Sequence, residues 1–335
     1  MHALTSGGAL PELGAAWRTR NIGYLLFAAT GHLVRDKLGM LHRGGFALSE
    51  AQLTLFHNMD RNGTRLTAIA ARANLTKQSM IELVDRAEAL GHVERNSDPD
   101  DKRAKVVVFT VRGLHVLDHV DAAVTAAEQR VADAVGERFL TVLKSSLGAY
   151  AARNPDIDAG RSDAAWRSER VGRVFALASR RFVHDVLSAV RERGVGDIAE
   201  VLLPLFRNLD INGTRLTAIA ARARMTKQSM RELVDRAEAL GLVHRRPDAA
   251  DRRAKTVMFT ATGLAMLDEI RLGVARAEES LGREAGQEFF AELRVRLTAY
   301  VAMAEDGENT RSDRIAQIAG AEFAKRATRR SAPPR

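Results

Sequence analysis

The chain contains no cysteine, which excludes disulfides, thiol chemistry and any cysteine-built zinc site. Such a composition is compatible with a reducing cytoplasm. No stretch approaches the apolar length of a membrane span, and the N-terminus has no basic region followed by an apolar core. The expectation is therefore a cytoplasmic protein with no membrane partner. Catalytic signatures are missing as well. There is no Ser/His/Asp order, no phosphate loop and no nucleotide fingerprint. The chain reads as a non-enzyme with no catalytic residues, no cofactor and no bound metal.

What is present is an excess of positive charge and a repeat. The formal net charge is +9 with a pI near 10.3, a balance that favours polyanionic partners. Apolar residues make up 46% and charged residues 28%, an ordinary composition for a globular protein. At 335 residues the chain suits two domains, each able to bury a core. The stretch Leu66–Lys105 recurs without a gap at Leu216–Lys255, 150 residues on. About two-thirds of positions between Phe56 and Val120 are identical to their partners, so the duplication sets the domain count. The bounds read from it are a first domain at 1–152, a linker at 153–162, a second domain at 163–305 and a basic tail at 306–335. Arg161-Ser162-Asp163 reappears as Arg311-Ser312-Asp313, and Trp166 answers Trp17 at an offset of 149. One residue is therefore inserted before the register of 150 resumes.

Within the repeat, Thr67 is expected to cap a short helix bearing Ile69, Ala70 and Ala73 on one side. Asn74-Leu75 breaks it. Thr76 then caps a second helix with Met80, Leu83, Val84, Ala87 and Leu90 at helical spacing, stopped by Gly91. Two short helices joined by a tight turn form a helix-turn-helix, whose second helix presents its start to the DNA major groove. The residues there are Thr76, Lys77, Gln78 and Ser79, repeated as Thr226, Lys227, Gln228 and Ser229. A hairpin follows, with strands over 92–96 and 104–110 and a charged tip over 97–103. That hairpin is a wing.

The Leu-Thr…Ile-Ala start, the Leu-Val-Asp-Arg…Leu-Gly-x-Val run and the Asp98-Pro99-x-Asp101-Lys102-Arg103-Ala104 wing together resemble the MarR family of winged helix-turn-helix transcriptional regulators. The second copy reads Asp248-Ala249-Ala250-Asp251-Arg252-Arg253-Ala254 and lacks the proline. The resemblance implies a mainly α fold with small β wings. It also implies a two-fold pair of DNA-binding domains, here folded as an intramolecular pseudo-dimer, with a homodimer of chains presenting four recognition helices as the alternative. The implied partner is double-stranded DNA read as a near-perfect inverted repeat. A small aromatic or phenolic effector is implied between the DNA-binding lobe and the outer helices, where Trp17, Tyr24, His32, Trp166 and His184 fall. A repressor is the more usual role. A protein-interaction module and a sequence-blind architectural DNA binder are the competing classes.

The DNA contacts expected on chemical grounds follow. Gln78 and Gln228 can pair bidentately with adenine, and Lys77 and Lys227 can reach guanine or phosphate. Arg103 and Arg253 suit the minor groove, where negative potential is concentrated. Asp101 and Asp251 could instead pair with those arginines and hold the loop. Lys102, Lys105, Arg252 and Lys255 suit phosphates. Arg231 replaces Ile81 and Arg224 replaces Asn74, so the second copy should grip its half-site more tightly. Arg65 and Arg215 are read as backbone contacts or solvated charges. Asp85 and Asp235 are read as orienting Arg86 or Arg236. His115 and His119 stand four residues apart on one helix and His42 ends another, a zinc-like spacing, but Ala265 and Glu269 replace the pair in the second copy.

Along the rest of the chain, a long helix is expected from Pro11 to about Arg43, apolar on more than one face. Ser49–Gln52 forms a capping box opening the next helix through Met59. Asp60–Gly63 turns. Helices then cover Gly113 to about Ala134 and Glu137–Ala152, broken at Gly136. Asn154–Gly160 supplies the turn residues of the 153–162 linker, and Ile315–Arg330 could form a short basic helix.

Overall fold

The computed structural model describes residues 20–98, 105–153, 170–194, 200–223, 225–248 and 255–305. Linker residues 154–162, the tail, wing residues 99–104 and 249–254, Arg224, Trp17 and Trp166 lie outside them. Within the described residues the chain is mainly helical, with two small antiparallel sheets.

Helix α1 (Ile22–Arg43) is followed by α2 (Glu50–Asn58), which opens on the expected capping box. The Ser49 hydroxyl accepts from the Gln52 amide, and the Gln52 side chain accepts from the Ser49 amide. The two-residue strand β1 (Thr64–Arg65) leads into α3 (Leu66–Ala73) and α4 (Lys77–Ala89). Asn74 takes the left-handed conformation between them (φ 54°), which asparagine tolerates and which turns the chain. Strands β2 (Val93–Ser97) and β3 (Lys105–Phe109) form the hairpin. Helices α5 (Val111–Val135) and α6 (Glu137–Ala152) complete the first copy.

The second copy gives α7 (Val171–Glu192), a 3₁₀ turn at Glu200–Leu202, α8 (Leu203–Asn208), β4 (Thr214–Arg215), α9 (Leu216–Arg222), α10 (Lys227–Ala239), β5 (Val243–Pro247), β6 (Lys255–Phe259) and α11 (Ala261–Ala285). A last helix, α12, covers 287–305.

Several expectations change. Thr67 is not a cap: α3 starts two residues earlier than that cap would place it, behind Arg65, whose side chain caps nothing. The cause is β1, which pairs Thr64 with Val107 and Arg65 with Val106 and so delivers the chain to Leu66 already hydrogen-bonded. Leu90 is 45% exposed because it forms the C-cap rather than the buried face of α4. Thr110, not Gly113, starts α5, its hydroxyl accepting from the Gly113 amide. On α5 the buried face runs through Val116, Leu117, Val120 and Ala123, while Leu114 and Val124 pack only partly against it.

The core around the first helix-turn-helix gathers Phe56, Met59, Ile69, Met80, Val84, Val107 and Leu117, all fully or almost fully buried. Two compact units result, and neither follows the repeat. One comprises Met1–Phe27, Ser146–Ile157 and Val174–Phe290; the other comprises Ala28–Ser145, Asp158–Arg173 and Ala291–Arg335. Each holds one winged helix and also draws on the other copy. In the second-head unit the Tyr150 hydroxyl donates to Asp185 at 2.7 Å, and Arg181 donates to Asp185 and Glu284. In the first-head unit His32 meets the Tyr300 ring edge-on, and Arg296 lies over Phe139. No described helix is long and apolar enough to cross a membrane.

Candidate nucleic-acid interface and effector pocket

The residues expected to read DNA stand at a helix start that is built twice. Thr76 is the N-cap of α4: its hydroxyl accepts from the Ser79 amide at 3.1 Å and lies 2.9 Å from the Ser79 hydroxyl. Thr226 and Ser229 repeat this at 3.0 and 2.8 Å. These four residues therefore spend their hydroxyls on each other and set the angle of the helix. Lys77, Gln78, Lys227 and Gln228 are left exposed beside them. Each glutamine reaches its own helix's next turn, Gln228 donating to Glu232 at 2.8 Å and Gln78 to Glu82 at 3.5 Å. A hydrogen bond this exposed can be exchanged for a base edge at little cost.

A second layer fixes that helix to the wing. Arg95, on β2, donates to Asp85 and Glu88 of α4, both at 2.5 Å, and to the Ile81 carbonyl. Arg245 makes the same bonds to Asp235, Glu238 and the Arg231 carbonyl. The aspartates on the recognition helices thus orient Arg95 and Arg245, not Arg86 and Arg236, because the hairpin folds its strand back along the helix. The sequence held the clue in the repeated Glu-x6-Arg spacing of Glu88 with Arg95 and Glu238 with Arg245. At the wing base Arg65 pairs with the buried Asp98, and Arg215 pairs with Asp248. These arginines are structural anchors, which the reading as backbone contacts or solvated charges missed. Arg72 donates to Asp60 and to the Asn58 carbonyl, tying α3 to the preceding turn.

Lys105 and Lys255 begin β3 and β6 as exposed cations; Lys105 reaches the Ser97 hydroxyl. Arg231 is exposed on α10. Lys102, Arg103, Arg252 and Arg253, with Asp101 and Asp251, fall outside the described residues. His115 and His119 stack against Phe46, while His42 bonds the Leu48 carbonyl. Among the described residues no group of three metal-ligating side chains forms.

The two heads carry unequal charge. Leu66–Lys105 holds seven basic and seven acidic residues, and Leu216–Lys255 holds ten basic and five acidic. Arg231 and Arg246, both exposed, supply part of the excess where the first head has Ile81 and Asn96. Replacing them by those counterparts should lower the salt dependence of binding to mixed-sequence duplex DNA by about two phosphate contacts. Fluorescence anisotropy across a salt series measures this, and an unchanged slope would place these arginines away from the backbone.

A pocket opens in the second-head unit between α1, α7, α8 and α11, with a cavity volume of about 100 Å³. Phe27, Phe182 and Phe206 provide aromatic walls; Tyr24, Ser179 and Arg207 provide polar groups. The Arg207 guanidinium sits 4.4 Å from the Phe27 ring centre. Burial holds its pKa below the usual arginine range, partly offset by Tyr24. Among the described residues no carboxylate pairs with Arg207, and the buried Ser179 hydroxyl has no hydrogen-bond partner. A Cβ on Gly23 would come within 2.5 Å of the Phe182 ring, so a larger residue here must displace that ring. Of the aromatic and histidine residues expected near an effector, Tyr24 lines this pocket. His184 instead lies 3.4 Å from Asp185, and His32 is buried in the other unit.

A helix-turn-helix followed by a two-stranded wing, closed by a short third strand, defines the winged-helix class, and the chain contains two of them. Residues 48–104 and 203–254 each match the MarR family. Among curated proteins, the transcriptional regulator HosA of Escherichia coli O157:H7 is 39% identical over 87 residues, 25% of this chain and 64% of HosA. The chain thus spans less than two-thirds of the length of the HosA proteins it matches. Similar solved structures include a MarR-family regulator from Rhodococcus sp. RHA1, with 27% identity over 33% of this chain and 78% of that one, at a TM-score of 0.29. CouR from Rhodococcus jostii RHA1, solved with p-coumaroyl-CoA, shows 27% identity over 34% and 79%, at a TM-score of 0.31.

Proposed function

We propose that this chain is a sequence-specific DNA-binding transcriptional regulator, a repressor by default, which reads a near-palindromic operator with both recognition helices of one chain. The observation that carries this reading is the duplicated helix start: two copies of Lys-Gln, exposed, on helices clamped to their wings by Arg95 and Arg245. Identical readers call for matching half-sites, and a two-fold arrangement places such helices about one helical turn apart on DNA. The mixing of both copies in each compact unit supports an intramolecular pseudo-dimer. The domain bounds of 1–152 and 163–305 are retained as units of duplication. The test is selection of bound sequences from a random pool at moderate salt. One inverted repeat supports the proposal, two repeats in tandem indicate a dimer of chains, and sequence-blind binding sinks it.

The pocket supplies the regulatory side of the proposal. A desolvated, unpaired guanidinium between aromatic walls suits an aromatic or phenolic carboxylate, whose anion supplies the missing charge partner. A ligand bound more tightly by one arrangement of the helices than another shifts the balance between them, and operator affinity with it. Arg207→Met keeps the side-chain length and removes the charge. It should weaken benzoate binding in this pocket at least tenfold with no change in operator affinity in the ligand-free state. Calorimetry and anisotropy read the two quantities, and unchanged benzoate affinity would remove Arg207 from the site.

A further inference from the structure

Each helix that starts on Lys-Gln carries three acids, and two of them are held by the wing. On α4 Asp85 and Glu88 pair with Arg95; on α10 Asp235 and Glu238 pair with Arg245. The third acid, Glu82 or Glu232, is exposed. Among the described residues no salt bridge engages it, and its carboxylate accepts from the glutamine one turn earlier, Gln78 or Gln228.

The position of that acid on the helix is decisive. Helix α4 buries Met80, Val84 and Ala87, and α10 buries Met230, Leu233, Val234 and Ala237. Residues four apart share a face, so Gln78 with Glu82, and Gln228 with Glu232, stand side by side away from the core. The second head is poorer in acid than the first, with His244 in place of Glu94 and Ala250 in place of Asp100. It also sets Arg231 next to Glu232. Of the acids that both heads share among the described residues, Asp235, Glu238 and Asp248 each pair with an arginine. Glu232 repeats Glu82 without any such structural role.

A carboxylate turned toward DNA is repelled by the phosphates unless a donor receives it. When the glutamine turns to its own base, that donor must come from a base edge. The major groove offers two exocyclic amines, cytosine N4 and adenine N6. The adenine amine has acceptors on both sides, its own N7 and the O4 of its thymine; the cytosine amine has one, the guanine O6. A carboxylate is therefore better received by cytosine. We infer that Glu82 and Glu232 are specificity-determining residues, each accepting from the N4 amine of a cytosine beside the base that the glutamine reads. Residues four apart stand about 6 Å apart along a helix axis, less than two base-pair steps of ~3.4 Å. The cytosine accordingly falls within two pairs of the glutamine's base. Where no such cytosine is present the same carboxylates weaken binding, so they select by exclusion as well as by contact. This deepens the operator reading above and rests on it.

The test compares the full chain with a variant combining Glu82→Gln and Glu232→Gln, which keeps the side-chain size and removes both charges. Both positions are exposed, so circular dichroism and thermal melting should be unchanged. Sequences are selected from a random pool with each protein. Anisotropy is then measured on the wild-type operator, on that operator with the cytosine pair of each half-site changed to T·A, and on an unrelated duplex. The wild type should select a cytosine within two pairs of an adenine in each half-site. It should lose about tenfold in affinity per altered half-site, where thymine O4 would face the carboxylate. Glutamine can accept from N4 or donate to O4, so the variant should lose about threefold or less. It should also bind the unrelated duplex more tightly than the wild type does. Equal base preferences in the two proteins, or an equal loss on the altered operator, overturn the inference and leave the operator reading intact. So does a gain of the same size on all three duplexes, which would mean that the carboxylates only repel phosphate. A wild-type chain that selects no sequence removes the operator reading, and this inference with it.

Discussion

Alanine at Lys77, Gln78, Lys227 and Gln228 together should lower affinity for the selected operator by about a thousandfold or more. A bidentate glutamine–adenine pair discriminates by about 1–3 kcal/mol, and two such pairs with two lysine contacts exceed the ~4 kcal/mol that a thousandfold requires. The fold should survive, because all four side chains are exposed and the caps that start the helices belong to Thr76 and Thr226. Binding to unrelated duplex should drop far less, since most wing and strand cations remain. Anisotropy with operator and scrambled duplexes separates the two effects. Equal losses on both duplexes would mean that Lys77 and Lys227 act as backbone contacts and that sequence is read elsewhere. No loss on either would remove the helix start from the interface.

The register of the duplication explains why so much of this site was legible. Gly91, Gly136, the Ser49 capping box and the Thr76 cap each satisfy a local rule, so their elements emerged with bounds correct within a residue or two. The failures share one cause: they depend on contacts between segments distant in sequence. Strand β1 is two residues long and exists only because Val106 and Val107 lie opposite it. Arg65 looked like a solvated charge because its partner, Asp98, is 33 residues away. Asp85 was assigned the nearest arginine, whereas the hairpin brings Arg95 back onto the helix.

Gly113→Ala and Gly263→Ala should be the most destabilising single substitutions in the two heads, about 3 kcal/mol or more each. Both glycines sit in the first turn of a long helix under the end of the wing. A Cβ on Gly113 would run into the His92 carbonyl oxygen, and one on Gly263 into that of Leu242. Neither obstacle is a side chain that can swing away. Each carbonyl accepts the amide of the threonine that caps the helix, Thr110 or Thr260, and the threonine hydroxyl in turn donates to the Gly91 or Gly241 carbonyl. Making room for one methyl group therefore breaks the joint between recognition helix, wing and α5 or α11, beyond the usual cost of overpacking. Alanine is otherwise the better helix former, so helix propensity alone predicts a gain of up to about 1 kcal/mol. The sign of the measured change decides between the two. Chemical denaturation of each variant, with operator binding followed in parallel, should show lost stability and lost affinity at the altered head. A stabilised variant would mean that the helix can slide away from the wing, and that the joint between them is looser than its hydrogen bonds imply.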